Sequence, residues 1–326
     1  MSKSPEQNQD EDSAFRSLGR PIIPEKVGER ADFYLAKNFP FLSRAAWVKR
    51  LNKNEILVDG MPVDRAYRLR LGQRLSFYHP PTVEPEVSRD VYPIWRVGAV
   101  MAVFKPAPLP MHENGAYKKN TFAELLKTEL GPEWAAVHRL DRETSGIVLC
   151  GATYKVRKEL SLALSERTVQ KEYLAIAHGV PEHRTWIEEG PIGELPGSEI
   201  RIKKWVTPNG LPSETYFEFM ENRGEYSMLR ARPRTGRTHQ IRIHSAVSGH
   251  HLVGDRLFYP DEEVFLDWFV NGITERIIEK TGHLRCLLHA HGISFRHPED
   301  GKVYEVKCPL PDDMQDFWQK IGSQNL

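Results

Sequence analysis

Three prolines in the eight residues His79-Pro80-Pro81-Thr82-Val83-Glu84-Pro85-Glu86 cut this chain in two, because proline lacks an amide donor and holds φ fixed, favouring extended, poorly packed chain. A linker is therefore expected at 79–89, with a small module at 29–78 and a larger one at 90–326. A length of 326 residues allows a catalytic domain of ordinary enzyme size plus a small appended module. Residues 1–28 lack periodicity and are rich in Ser, Glu, Gln and Asp, which predicts a disordered tail.

In the small module, the apolar positions Phe33, Leu35 and Ala36, then Leu42, Ala45, Ala46, Trp47 and Leu51, fall at helical spacing and predict two short helices broken at Pro40. A strand pair should follow, Glu55–Asp59 with a turn at Gly60, then Leu71–Tyr78 entered through Gly72. The whole chain carries a net charge of only +1, so attraction to a polyanion must be local. Between Phe41 and Ser76 eight Arg/Lys stand against three acids, a patch large enough to engage one.

In the larger module, apolar strands at Ala99–Phe104 and Gly146–Cys150 alternate with helical stretches at Thr121–Leu130 and Lys155–Glu166. Strand-like runs recur at Thr215–Met220, Ser227–Arg232 and Lys302–Lys307. This pattern predicts an α+β domain with a mixed, mainly antiparallel sheet. Residues 261–285, of helical pattern, read as an insertion. The 3 cysteines are far apart with no C-x-x-C spacing, which suggests neither a disulfide framework nor a thiolate metal site and fits a reducing compartment. No apolar run is long enough to span a bilayer, and the acidic start has no signal-like core, so a cytoplasmic location is expected.

Chemistry concentrates in Val137-His138-Arg139-Leu140-Asp141-Arg142-Glu143-Thr144-Ser145-Gly146, a polar run just before an apolar strand. Such loops, held by rigid elements, are frequent sites of catalysis. Asp141, with arginine on either side, is an acid whose ionised form is favoured, available as nucleophile or base. A second basic cluster, Arg230, Arg232, Arg234, Arg237 and Arg242, alternates along a strand and enters a helix with Thr238 as the expected N-cap. Combined with the first patch, its arginines are expected to track phosphates.

The run His138-Arg139-Leu140-Asp141-x-x-Thr144-Ser145-Gly146 resembles the signature of the RluA-type pseudouridine synthases, and further segments match that family in order. They are Lys105-Pro106, Lys171-Glu172-Tyr173-Leu174-Ala175 with Gly179, Thr235-Gly236-Arg237-Thr238-His239-Gln240-Ile241-Arg242-Ile243-His244 with Gly254-Asp255-Arg256, and His289-Ala290-His291. Leu42-Ser43-Arg44 through Arg74-Leu75 resembles an S4-like RNA-binding domain.

These resemblances imply an RNA pseudouridine synthase. Asp141 would be its essential carboxylate, Tyr173 would stack on the target uracil and help remove its proton, and Arg242 would pair with Asp141 and keep it ionised. Arg139 would fill the gap left in the RNA, while Arg237 and His239 would contact RNA near the site. Arg44, Lys49, Arg50 and Lys53 would meet phosphates from the small module. The reaction needs no cofactor. The histidines 239, 244, 250, 251, 289 and 291 could in principle supply a metal site, but no acid accompanies them at helix spacing and no metal is expected. The partner would be RNA, ribosomal ahead of transfer RNA, acted on by a monomer without an obligate protein partner or a membrane. Pro108 and His251 depart from the family pattern beside regions that would touch RNA.

Overall fold

The computed structural model describes residues 15–17, 22–39, 43–78, 84–195, 197–198, 200 and 202–323. The chain divides into two compact units, Met1–Val83 and Glu84–Leu326. The calls on Pro40 and on most of the proline-rich stretch, 79–83, fall outside the described residues.

In the small unit, β1 (Phe15–Ser17), β2 (Ile56–Val58), β3 (Met61–Pro62) and β4 (Leu75–Tyr78) form an antiparallel sheet in the order β1-β4-β2-β3. Two helices, α1 (Ala31–Asn38) and α2 (Arg44–Asn52), share a core with it: Ala31 and Leu35 of α1 meet Trp47 and Leu51 of α2, together with Ile56, Leu69 and Leu75. The Ser43 hydroxyl caps α2 by accepting from the Ala46 amide.

Two expectations are corrected here. The tail expected through residue 28 is not wholly disordered, because residues 15–17 pair with β4 and Ile22 is buried in the core. The strand expected from Leu71 begins only at Leu75, since Leu71-Gly72 form a turn with Gly72 at φ +77°.

The large unit is built on one mixed sheet. Its strands are β5 (Tyr92–Val97), β6 (Val100–Lys105), β7 (Ala135–Ala136), β8 (Ser145–Gly151), β9 (Gln170–His178), β10 (Thr185–Glu188), β13 (Thr215–Arg223), β14 (Tyr226–Pro233), β15 (Leu288–Arg296) and β16 (Val303–Lys307). They run in the order β10-β13-β14-β9-β15-β8-β6-β5, with β16 joined to β15 and β7 to β8. A separate ribbon pairs β11 (Ile192–Glu194) with β12 (Lys204–Val206). Every sheet pairing is antiparallel except β15 with β8.

Both faces of the sheet centre are covered, which explains why β6 and β8 are buried end to end. Met101, Val103, Val148 and Cys150 meet Phe122 and Leu126 of α3 (Phe122–Leu130), while Val100, Ala102, Ile147 and Leu149 meet Val156 and Leu160 of α4 (Tyr154–Ser165). Thr121 and Thr153 cap these helices.

The expected insertion holds α6 (Glu263–Asn271) and α7 (Glu275–Thr281), downstream of α5 (Gln240–Val247). It is part of the core rather than an appendage, because Phe265 packs with Ile243 of α5 and with Leu257 and Phe258. A last helix, α8 (Asp312–Ser323), places Met314 and Trp318 against Leu174 and Ile176 of β9.

Candidate active site

Three strands and one helix bring the chemically interesting residues together. The loop of Asp141 leads into β8, Tyr173 lies on β9, the 234–239 turn follows β14, and Arg242 opens α5. Between them is a cavity of about 290 Å³ lined by Arg139, Asp141, Lys171, Tyr173, Arg237, His239 and Arg242 among others. The three residues expected to be catalytic, and three of those expected to bind RNA, therefore share one cavity.

The Asp141 loop is fastened on both sides. At its start, His138 Nε2 accepts the Leu149 amide of β8 at 2.9 Å, and burial, aided by nearby Lys171, pushes His138 down to about 4. After Asp141, the Arg142 carbonyl accepts from the Leu109 amide at 2.8 Å and from Lys105 Nζ at 3.3 Å. The Glu143 carbonyl accepts from Arg285 at 3.0 Å, and its carboxylate pairs with Arg256 and accepts the Cys286 amide. Gly146 ends the loop at φ +113°, where an added Cβ would come 2.3 Å from the Ala290 carbonyl oxygen, so β8 and β15 can approach only over a glycine.

Arg242 is buried, and burial alone would lower its pKa, but Asp255 and Asp141 raise it well above its ordinary value. Its Nη1 lies 3.3 Å from Asp141 Oδ2, the contact expected from sequence. Its closer partner is Asp255, bound by Nε and Nη2 at 2.7 Å each, a bidentate geometry of the strong, charge-assisted kind. Burial would raise Asp255, yet Arg242 and the Phe258 amide hold it below the usual carboxylate range. Gly254-Asp255-Arg256 belongs to a family-like motif in the sequence, but nothing in that motif signals that Asp255 clamps Arg242.

On the other carboxylate oxygen, His239 Nε2 lies 3.8 Å from Asp141 Oδ1. Burial, then Arg242, pushes this imidazole down to about 4, so it is neutral near pH 7. His239 takes a left-handed backbone conformation, φ 59°, and is itself the N-cap of α5. Thr238 is therefore not the cap. The Gln240 side chain ties this turn by accepting from Thr235 Oγ1 and the Arg237 amide while donating to Thr215 and the Glu214 carbonyl. Burial and Asp141 push the Tyr173 phenol up, so it stays protonated.

The expected row of phosphate-binding arginines on β14 is corrected. Arg230 opposes Glu218 across the β13–β14 pair and meets it at 2.8 Å, Arg232 meets Glu172 at 2.8 Å, and Arg234 meets Glu214 at 3.0 Å. Acids on neighbouring strands already neutralise that face. In the small unit, Arg44 pairs with buried Asp32 at 2.7 Å and Arg50 with Glu55 at 3.1 Å. Lys49 and Lys53 are exposed and form no ion pair among the described residues.

His289 and His291 both face the Cys308 carbonyl, and His244 bridges Thr215 to the Gly190 carbonyl. Among the described residues no group of three His, Cys, Asp or Glu could hold a metal ion. No helix among them is long and apolar enough to cross a membrane.

Residues 99–247 match the family model described as RNA pseudouridylate synthase. An uncharacterized RNA pseudouridine synthase of Synechocystis is 31% identical over 284 residues, covering 87% of this chain and 94% of that one. The ribosomal large subunit pseudouridine synthase D of Neisseria meningitidis serogroup A is 29% identical over 95% of this chain and 85% of its own, and synthase C of Pasteurella multocida is 29% identical over 93% of each. In fold, the chain is similar to human RNA pseudouridylate synthase domain containing 1, with a TM-score of 0.56 and 22% identity over 72% of this chain and 91% of that one. A mixed sheet with this loop leading into an interior strand, and relatives of this identity along nearly the whole length, place the chain in the RluA-type family of RNA pseudouridine synthases, which are isomerases.

Proposed function

We propose that this enzyme isomerises particular uridines of large-subunit ribosomal RNA, in preference to transfer RNA, with Asp141 as its essential carboxylate. One observation carries the reading: Asp141, on a loop fastened from both sides, lines a single cavity together with Tyr173 and Arg242. The relatives named as large-subunit synthases C and D favour ribosomal RNA.

The reaction breaks the bond between uracil N1 and ribose C1′, turns the base, joins C5 to C1′ and releases the C5 proton. No electrons leave the substrate and no group is brought in, so the chemistry requires neither cofactor nor external donor. A stacked uridine cannot present its glycosidic bond, so it must first be turned out of the RNA. Tyr173 offers the aromatic face that receives it. Asp141, aimed by Arg242 through Oδ2, attacks the sugar or takes up a proton. Arg139, at the exposed rim, fills the gap in the RNA, and Arg237 and His239 contact the RNA that borders it.

The small unit serves as an S4-like RNA-binding module, docking phosphates on Arg44, Lys49, Arg50 and Lys53 of α2 and its C-cap. The enzyme works in the cytoplasm as a monomer.

The test is pseudouridine mapping in total RNA from cells with the gene, without it, and with Asp141→Asn in its place. One or more large-subunit sites should vanish in the second and third. Loss confined to transfer RNA would reject the substrate, and full modification by Asp141→Asn would reject the catalytic residue.

A further inference from the structure

Lys171 is a cavity cation to which the isomerisation described above gives no task. It precedes Tyr173 by two residues on β9, so strand alternation sends both side chains to one face. Both line the cavity of Asp141. Across that cavity Lys171 reaches the turn after β14: a methyl on Gly236 would lie 3.6 Å from Nζ.

The surrounding acids are committed to other cations. Glu172, next along β9, pairs with Arg232 at 2.8 Å and Arg230 at 3.4 Å, and Asp141 is faced by the Arg242 cation, with neutral His239 on its other oxygen. Among the described residues, the Lys171 ammonium makes no ion pair and no hydrogen bond. It is half-buried, and burial pushes its pKa down, as expected for a cation partly desolvated without a counter-charge. Arg242 differs in both respects, being clamped by Asp255.

A uridine turned out of a stack brings its flanking phosphates with it, and these are the anions that an RNA substrate can deliver at this depth. We propose that Lys171 binds a non-bridging oxygen of a phosphate flanking the target uridine, fixing how deeply the base enters beside Tyr173. This rests on the reading of the cavity as the Asp141-centred site. Lys171 acts in substrate binding, and its ammonium takes no part in bond making.

The test follows tritium release from bulk RNA labelled at uracil C5 and taken from cells lacking the gene, a substrate that holds every target whichever RNA contains it. Lys171→Gln should raise the apparent KM roughly tenfold, leave kcat within about threefold, and flatten the plot of log kcat/KM against log salt by roughly 0.7 to 0.9, the contribution of one phosphate contact. Lys171→Arg should restore most of the affinity and the slope, because it returns a cation of similar reach. A raised KM with an unchanged salt slope would overturn the proposal in favour of an ammonium that reads a uracil carbonyl. A fall in kcat alone, or an arginine variant as weak as the glutamine one, would also overturn it. Should Lys171→Gln fail to fold, Lys171→Met, which keeps the apolar stem, carries the same comparison. An active Asp141→Asn protein in this assay would instead sink the reading of the cavity, whatever Lys171 does.

Discussion

Arg242 belongs first to Asp255 and only second to Asp141: two of its nitrogens meet the Asp255 carboxylate at 2.7 Å, while the third turns to Asp141 at 3.3 Å. Asp255 is in turn fixed by the Leu257 and Phe258 amides, at 3.1 and 3.2 Å. The guanidinium that meets the proposed catalytic carboxylate is thus oriented from behind by a residue outside the cavity lining. Asp255→Asn should lower kcat by about 10- to 100-fold through misorientation of Arg242. Leaving that buried guanidinium without its main counter-charge should also cost about 3 kcal/mol of stability or more. Steady-state rates and urea unfolding on one preparation check both parts.

Asp141→Asn should separate chemistry from folding. Arg242 keeps its two bonds to Asp255 when the Asp141 charge is removed, so the variant should unfold within about 1 kcal/mol of the parent. It should bind RNA within a few-fold of normal while tritium release falls below detection. Loss of RNA binding together with turnover would show that the carboxylate holds the loop rather than performing the reaction.

At Tyr173 the ring and the hydroxyl should part company. Tyr173→Phe keeps the stacking face, so affinity should hold while proton removal slows. Tyr173→Leu loses the face and should weaken binding by about 1 to 3 kcal/mol, the usual value of one stacked base. Equilibrium binding measured beside turnover distinguishes the two substitutions, and equal affinities for both would refute stacking.

Acid should unfold the large unit through its histidines. Burial is the leading cause that holds His138, His239, His251 and His289 at about 4, against an unfolded value near 6.5. Their folded values are depressed, so the stability they allow is complete above pH 6.5 and drains away as pH falls towards 4, where the unfolded chain binds more protons. Each tenfold preference for the proton is worth about 1.4 kcal/mol. His251 stacks on His178 at 4.4 Å between ring centroids, and His251→Phe keeps a ring there without a proton to bind. Melting temperatures from pH 7 to 4.5 should fall less steeply in that variant.

Exposed Lys49 and Lys53 should matter more for RNA affinity than Arg44 and Arg50, which Asp32 and Glu55 already engage. Lys49→Gln with Lys53→Gln should reduce the salt slope of binding by up to about two contacts. The Arg44 and Arg50 substitutions should reduce it less, as filter binding across a salt series would reveal.

That Asp141, Tyr173 and Arg242 meet at one cavity could be expected from sequence because each sits in a contiguous motif whose local spacing survives any rearrangement of the fold. Asp255 could not be given a role in that way, since its claim on Arg242 depends on how the turn after α5 folds back. The neutral face of β14 was hidden for a related reason. That Glu218 stands opposite Arg230 follows from the register of β13, which shifts between Phe219 and Glu221. A row of arginines in one strand looks like a phosphate track until the acids on its neighbours are aligned with it. The helix start after Thr238 misled because a Thr is an ordinary cap, whereas here Gln240 holds the turn and lets His239 take the cap position in a strained conformation.

Ala290 of β15 pairs with Tyr173 on one side and with Gly146 on the other. The strands that carry Tyr173 and follow the Asp141 loop are thus joined through a strand made more than a hundred residues later. A ribosome synthesising this protein releases the loop and the platform first, but nothing can hold them at working distance until β15 has left the exit tunnel and slid between them. A half-made chain therefore lacks the strand that brings the Asp141 loop and Tyr173 to one cavity, and that cavity forms only when synthesis is nearly complete.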